Sequence, residues 1–334
     1  VAKNLLTPDG KPQTGLPQIS GKAELSSLST AAAQPFVESA GLNLPAGVGP
    51  IVNVTVTATP VTEAGKQRSD FDVRVGSNGV NGSMLLTLDG STLRSRDKGG
   101  AFSLKSPAAL IGKAAANSGV QLSTGGFASA TIRSFSMPLA GGSPLDSIAA
   151  DVDISCGGFS VVPTSAAAPD PVMLNQVIVT AKIAPGVTPA ATLEASGSHA
   201  GGDFYAKGDM QLAGLITTSG GVSKLTPASV RPIGTIQINN LPTSLAAFAG
   251  MERTKDVDPV QLLRDAIGPA VTIVVRAAAK AGDAGGRDYT LTTTAKNLSG
   301  SASASHVGGP AWRHSGAGSM PMTIENSSAR SVVT

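Results

Sequence analysis

From Val52 to Ala58 the chain alternates without a break: Val52, Val54, Val56 and Ala58 are apolar, and Asn53, Thr55 and Thr57 between them are polar. A period of two puts one set on each face of an extended strand. Asp70 to Val75 repeats the pattern with Phe71, Val73 and Val75 set against Asp70, Asp72 and Arg74, and the Gly65-Lys66 loop between the runs predicts a hairpin. The cluster Gly76 to Gly82 predicts a turn, Ser83 to Asp89 resumes the extended pattern, and Asp89-Gly90 turns again. Further strands are predicted from Ala130 to Ser136, Ala150 to Cys156, Val177 to Ile183, Asp203 to Gln211 and Gly234 to Ile238.

Helical periods are rare. Thr30 predicts an N-cap for a run from Ala31 to Gly41 that Pro35 interrupts. Asp258-Pro259 predicts a second start, with Leu262, Leu263, Ala266 and Ile267 as its apolar stripe and Gly268-Pro269 as its stop. Ser106 to Gly112 and Thr226 to Val230 each open on a cap followed by proline and predict a helical turn. From Ser303 onward neither period persists, and the segment reads as loop or frayed tail.

The chain also resembles itself. Gly21 to Thr30 aligns with Gly234 to Thr243 at an offset of 213, and Val48 to Val56 aligns with Ile267 to Val275 at 219. Phe71 then meets Tyr289, and Val80 to Ser83 meets Leu298 to Ser301, both at 218. Each unit reads as a strand, a helical crossing and a short meander. The chain divides into a leader (1–19), a first repeat unit (20–105), a connecting β-meander (106–230), a second unit (231–305) and a disordered tail (306–334). Such a sheet grows by adding like modules whose edges cover one another.

Composition agrees with a mainly β protein. Of 334 residues 41% are hydrophobic but only 3% aromatic and 14% charged, with 40 Gly and 22 Pro, which suits short strands and turns over a helical bundle. The net charge of +3 is spread as single residues, without the basic, aromatic-interleaved runs of a nucleic-acid groove. Cys156 is the only cysteine, so neither an intrachain disulfide nor a thiolate zinc site is available. The chain opens at Val1 without a signal-like segment and reads as a piece whose signal or anchor lies outside it.

Catalytic constellations are weak. His199, His306 and His314 are the only histidines, and a nucleophilic triad would have to rest on His199 in a Gly-Ser loop. Gly21-Lys22-Ala23 and Gly112-Lys113-Ala114 lack the spacing and hydroxyl of a phosphate loop and read as turns. Asp151 and Asp153 share a strand face without the glycine turn and distal glutamate of a calcium loop, and read as a solvated face. Trp312, the only tryptophan, reads as part of the unstructured tail, with a docking anchor as the other reading. No enzyme activity, cofactor or metal is expected.

Three segments carry a family resemblance: the strand-Leu-Pro-Thr-helix unit from Ile236 to Ala249, the Gly-Pro stops at Val48–Pro50 and Ile267–Pro269, and Phe135 to Leu139 leading to Ala149–Ile154. On these, and over residues 20 to 305, the sequence resembles the AsmA-like family of bacterial envelope proteins. The resemblance implies an elongated, curved antiparallel sheet folded over into an apolar groove. It also implies a place in the periplasm or cell envelope, a part in phospholipid movement or outer-membrane assembly, and inner- and outer-membrane partners reached through parts of the chain not present here. The family's N-terminal membrane anchor is missing from the sequence.

An acyl-chain trough needs only one continuous apolar face. The expected wall is Val52, Val54, Val56, Phe71, Val73, Val75, Ile236, Ile238, Val271, Ile273, Val275 and Tyr289. The same residues could instead be the sealed core of a sandwich, making the chain a structural β-repeat segment of a large surface or fibre protein. The scarcity of aromatic anchors favours the trough.

Overall fold

The computed structural model describes residues 2–3, 18–38, 41–63, 66–117, 120–123, 125–139, 147–163, 171–219, 222–225, 231–243, 264–279, 287–296, 298–306 and 322–323. β1 (Ala2–Lys3) and β2 (Gln18–Ile19) pair with each other ahead of the main sheet. β3 (Gly21–Ser29) runs into α1 (Thr30–Val37) and α2 (Leu44–Gly47). A meander follows of β4 (Ile51–Glu63), β5 (Lys66–Ser77), β6 (Val80–Asp89) and β7 (Thr92–Leu104), and then α3 (Pro107–Asn117). β8 (Val120–Leu122), β9 (Phe127–Pro138), β10 (Ala149–Gly157), β11 (Phe159–Pro163), β12 (Val172–Ala184), β13 (Val187–His199) and β14 (Gly202–Ala213) continue the sheet. A side hairpin of β15 (Ile216–Ser219) and β16 (Val222–Leu225) precedes β17 (Arg231–Pro242), β18 (Ala270–Ala279), β19 (Arg287–Ala295), β20 (Leu298–His306) and β21 (Met322–Thr323).

The main sheet is one curved, elongated antiparallel array. Its ladder runs β3-β4-β5-β6-β7-β9-β10-β12-β13-β14-β17-β18-β19-β20. β8 and β11 prolong β9 and β10 and pair with each other, and β21 adds to β20. In the strand order β21 stands beside β3 and the array closes on itself. Bulges at Leu25/Leu28, Met84/Leu86, Arg94/Gly100, Leu174/Gln176 and Ile238/Leu241 increase the local twist and bend the strands.

The internal repeat extends to the register. Leu25 pairs Val54 and Val54 pairs Val75; at the same offsets Ile238 pairs Ile273 and Ile273 pairs Thr293. Both first strands bulge at equivalent places, where Ser27 (φ 60°) and Asn240 (φ 55°) adopt left-handed backbone. The pairs Gly21/Gly234 (φ 145° and 147°) and Gly49/Gly268 (102° and 100°) also match.

Several expectations change. Thr30 does not cap α1: Ser29 occupies that position without a side-chain cap bond, and the Thr30 hydroxyl donates to Gly49 O at 2.6 Å. Gly21–Ala23 lie within β3 and Gly112–Ala114 within α3, so neither is a turn. The cluster after β5 turns only at Asn78-Gly79, and β6 already begins at Val80. Strand β20 continues to His306, beyond the predicted end at Ser303. Residues 264–267 are helical, whereas the rest of the Asp258 start, the Thr226–Val230 turn, Trp312 and His314 lie outside the described residues.

α1, α2 and α3 gather at one end of the strands. Asn43 N–H donates to Leu110 O at 2.8 Å and Ala114 N–H to Gly41 O at 3.1 Å, tying α2 and α3 together. Gly41 and Gly47 lie against Ala114 and Leu110 so closely that a Cβ would collide at 2.8 and 2.4 Å. The Gln34 side chain ties α1 to the turn before α2, donating to Leu42 O and accepting from Leu44 N–H, both at 2.8 Å.

Candidate functional site: an uncovered apolar face

In an antiparallel sheet, residues directly opposite one another project to the same face. The register therefore places a single row across the ladder: Leu25, Val54, Val75, Gly82, Phe102, Ala130, Ile154, Val179, Leu193, Gly208, Ile236, Val275, Leu291 and Ala302. No member is polar. A parallel row from Ala23 through Val56, Met84, Ile132, Ala191 and Met210 to Tyr289 and Ala304 is equally apolar. At a strand spacing of about 4.8 Å the fourteen strands carry this face for about 60 Å.

The neighbouring row, one residue out of step, faces the other way. Glu24, Thr55, Arg74, Ser83, Thr131, Asp153, Thr180, Thr192, Asp209, Thr235, Arg276, Thr290 and Ser303 lie along it, with Ala101 the one apolar member. Along these rows one face is apolar and the other polar across the same fourteen strands.

All twelve expected wall residues lie on the apolar face. Val271 is only 2% exposed and belongs to packing, whereas the other eleven are half-buried. Leu25, Ile154 and Leu291 are 53%, 45% and 38% exposed. A fully sealed core would bury these side chains more deeply. Among the described residues the buried hydrophobics on this face are few and spread along it, at Leu88, Phe159, Val172, Ala191, Phe204, Ala206 and Val271. Two glycines let aromatic rings lie flat on the sheet: a Cβ at Gly82 or Gly197 would come within 2.2 Å of Phe102 or Phe204.

The middle strands were not in the expected wall. Phe102, Ala130, Ile154, Val179 and Leu193 carry the face from one repeat unit to the other. Their signal was the same period of two, already visible at Ala130–Ser136, Ala150–Cys156 and Val177–Ile183.

Ionic groups collect on the polar side. Asp70 is buried, which opposes its ionisation, but the Thr87 hydroxyl and the Arg96 and Arg68 guanidinium groups outweigh that cost and hold its carboxyl below the usual range. Asp153 pairs with Arg133 and accepts from the Thr180 hydroxyl at 2.7 Å, and Asp151 lies 3.8 Å from Arg133 and 4.0 Å from Lys182. A concavity of about 790 Å³ between β5 and β9 is lined largely by polar side chains, among them Asp72, Arg74, Asn81, Ser103 and Thr131.

His199 lies at the end of β13 rather than in a loop. Its Nδ1 accepts from Gly201 N–H and its Nε2 donates to Asn240 O, both at 3.0 Å, so both ring nitrogens fasten backbone. Cys156 falls on the apolar face, where burial pushes its thiol up. Among the described residues no three His, Cys, Asp or Glu side chains gather as a metal site, and no helix is long and apolar enough to cross a membrane.

What this surface can do is bind apolar matter without chemistry. Soluble proteins rarely expose contiguous apolar patches beyond a few hundred Å², and larger ones mark interaction sites. Acyl chains laid on it would gain about 0.8 kcal/mol per buried CH₂. No family model matches this chain, and no curated protein or solved structure matches it either.

Proposed function

We propose that the chain is a non-enzymatic lipid-conduit module of an AsmA-like bacterial envelope protein, shielding phospholipid acyl chains along its apolar sheet face. The carrying observation is the apolar register that runs from Leu25 to Ala302 across fourteen strands. A chain that slides needs a wall with few fixed polar contacts, and this wall carries only scattered hydroxyls such as Ser77, Tyr289 and Thr293. In this reading the module works in the periplasm, and other parts of the protein reach the inner- and outer-membrane components.

Native mass spectrometry with lipid extraction, on protein expressed in a bacterial periplasm, tests the reading. Val54→Asp with Ile273→Asp charges equivalent points of the two repeats, and Thr55→Asp with Thr290→Asp is the polar-face control. Co-purified phospholipid that disappears in the folded apolar-face variant and persists in the control is expected. Lipid-free wild type, with an apolar-face variant that simply unfolds, would overturn the reading in favour of a sealed structural repeat.

A further inference from the structure

The concavity of about 790 Å³ between β5 and β9 opens on the polar face, beside the bulges at Met84/Leu86 and Arg94/Gly100. Bulges bend strands and re-aim side chains, and this volume is that of a small-molecule site, about 300–1,000 Å³. The floor is two rows of small side chains. Ser83 lies opposite Ala101 and Ala101 opposite Thr131, while Asn81 lies opposite Ser103 and Ser103 opposite Ser129. Arg74 continues the first row across from Ser83. Met84 pairs Gly100 and Leu86 pairs Ser95, which leaves Leu85 without a partner on β7 and adds it, with Ala101, as apolar lining.

Elsewhere on this face polar groups satisfy one another: the Thr87 hydroxyl bonds Asp70 and the Thr180 hydroxyl bonds Asp153. In the concavity most do not. Ser103 Oγ donates to Asn81 O at 3.2 Å, but the side chains of Asn81, Ser83, Ser129 and Thr131 have no partner among the described residues. The charged pair is closed on itself, with Arg74 Nε and Nη2 donating to Asp72 Oδ1 and Oδ2 at 3.2 and 2.8 Å. A phosphate or sulfate would have to compete with that bidentate carboxylate for the guanidinium. The matching ligand has many hydroxyls, a face of C–H groups for Leu85 and Ala101, and no net charge. A hexose ring has all three.

We propose that this concavity is a binding site for a neutral oligosaccharide, whose hydroxyls exchange hydrogen bonds with Asn81, Ser83, Ser129 and Thr131. It lies on the face opposite the apolar rows and does not depend on lipid binding.

The test is calorimetry and saturation-transfer NMR on the full chain, with cellotetraose and chitotetraose as probes and tripolyphosphate as the anionic comparison. Saturable binding of a tetrasaccharide is expected. Ser129→Ala with Thr131→Ala should weaken it about tenfold, the loss of two hydrogen bonds. Ala101→Trp, which fills the exposed floor, should abolish it, whereas Thr235→Trp, exposed on the same face of β17, should leave it unchanged. Vesicles of phosphatidylcholine and monoglucosyl diacylglycerol separate the sources of the sugar: binding that needs the vesicle and is lost in Ala101→Trp assigns a glycolipid headgroup, and binding of the free tetrasaccharide assigns a glycan chain. No saturable binding of any sugar probe, binding unmoved by both concavity variants, or tripolyphosphate binding more tightly than either tetrasaccharide would overturn the assignment.

Discussion

Two threonines hold the two repeat units in the same way. Thr30 and Thr243 are 6% and 0% exposed, and their hydroxyls donate to Gly49 O at 2.6 Å and Gly268 O at 2.5 Å. Their backbone N–H groups reach Pro50 O and Pro269 O at 3.0 and 2.9 Å. Each pins the start of a crossing to the Gly-Pro stop before the next strand. Valine keeps the shape but leaves a buried carbonyl unpaired, so Thr243→Val should cost about 1–3 kcal/mol in urea unfolding and Thr243→Ser distinctly less. Asp70 acts through charge. Because its folded pKa lies below the unfolded value, its contribution is whole above about pH 4 and is lost as pH falls through the lowered pKa. Asp70→Asn should therefore flatten the acid limb of the stability profile while leaving its alkaline limb unchanged. An unaltered acid limb would show that the carboxylate contributes nothing there.

The strand elements differ in how far residue order discloses them. β4 and β5 were legible because Val, Thr and charged residues alternate without interruption. β13 was not: Pro189, Ala190, Ala191, Ser196 and Gly197 blur the contrast between its faces, although Ala191 and Gly197 lie on the apolar side and are buried. β7 was hidden by Asp97-Lys98-Gly99-Gly100, which looks like a turn and is a bulge, with Asp97 and Gly99 both at positive φ. The shared bulge of β3 and β17 was not legible, because the repeat aligned the two segments as plain alternating strands and neither Ser27 nor Asn240 is the glycine that left-handed backbone favours. Ser27 carries strain there that glycine avoids, while its N–H bond to Asn53 Oδ1 (2.9 Å) needs no side chain. Ser27→Gly should stabilise the fold by about 0.5–1 kcal/mol in chemical denaturation. Asn240→Gly should not, because the Asn240 amide donates to Asp203 O at 2.6 Å. Equal effects at both sites would contradict this account of the bulge.

At the scale of the whole molecule the distinguishing property is the separation of two faces across fourteen hydrogen-bonded strands. Local alternation could show that each strand has an apolar side. It could not show that every side points the same way, because one slipped register would have turned a strand over. The two repeat units gave the wall at either end, and the ladder supplies the middle third through Phe102, Ile154, Val179 and Leu193. The claim most open to direct attack is that lipid lies along this whole face. Photoreactive residues placed one at a time at positions 54, 154 and 236, and at the polar-face positions 55, 153 and 235, can be irradiated in cells and the adducts identified by mass spectrometry. Phospholipid adducts at all three apolar positions and none at the polar ones are predicted. Adducts at neither set, or equally at both, would contradict a conduit along the apolar face.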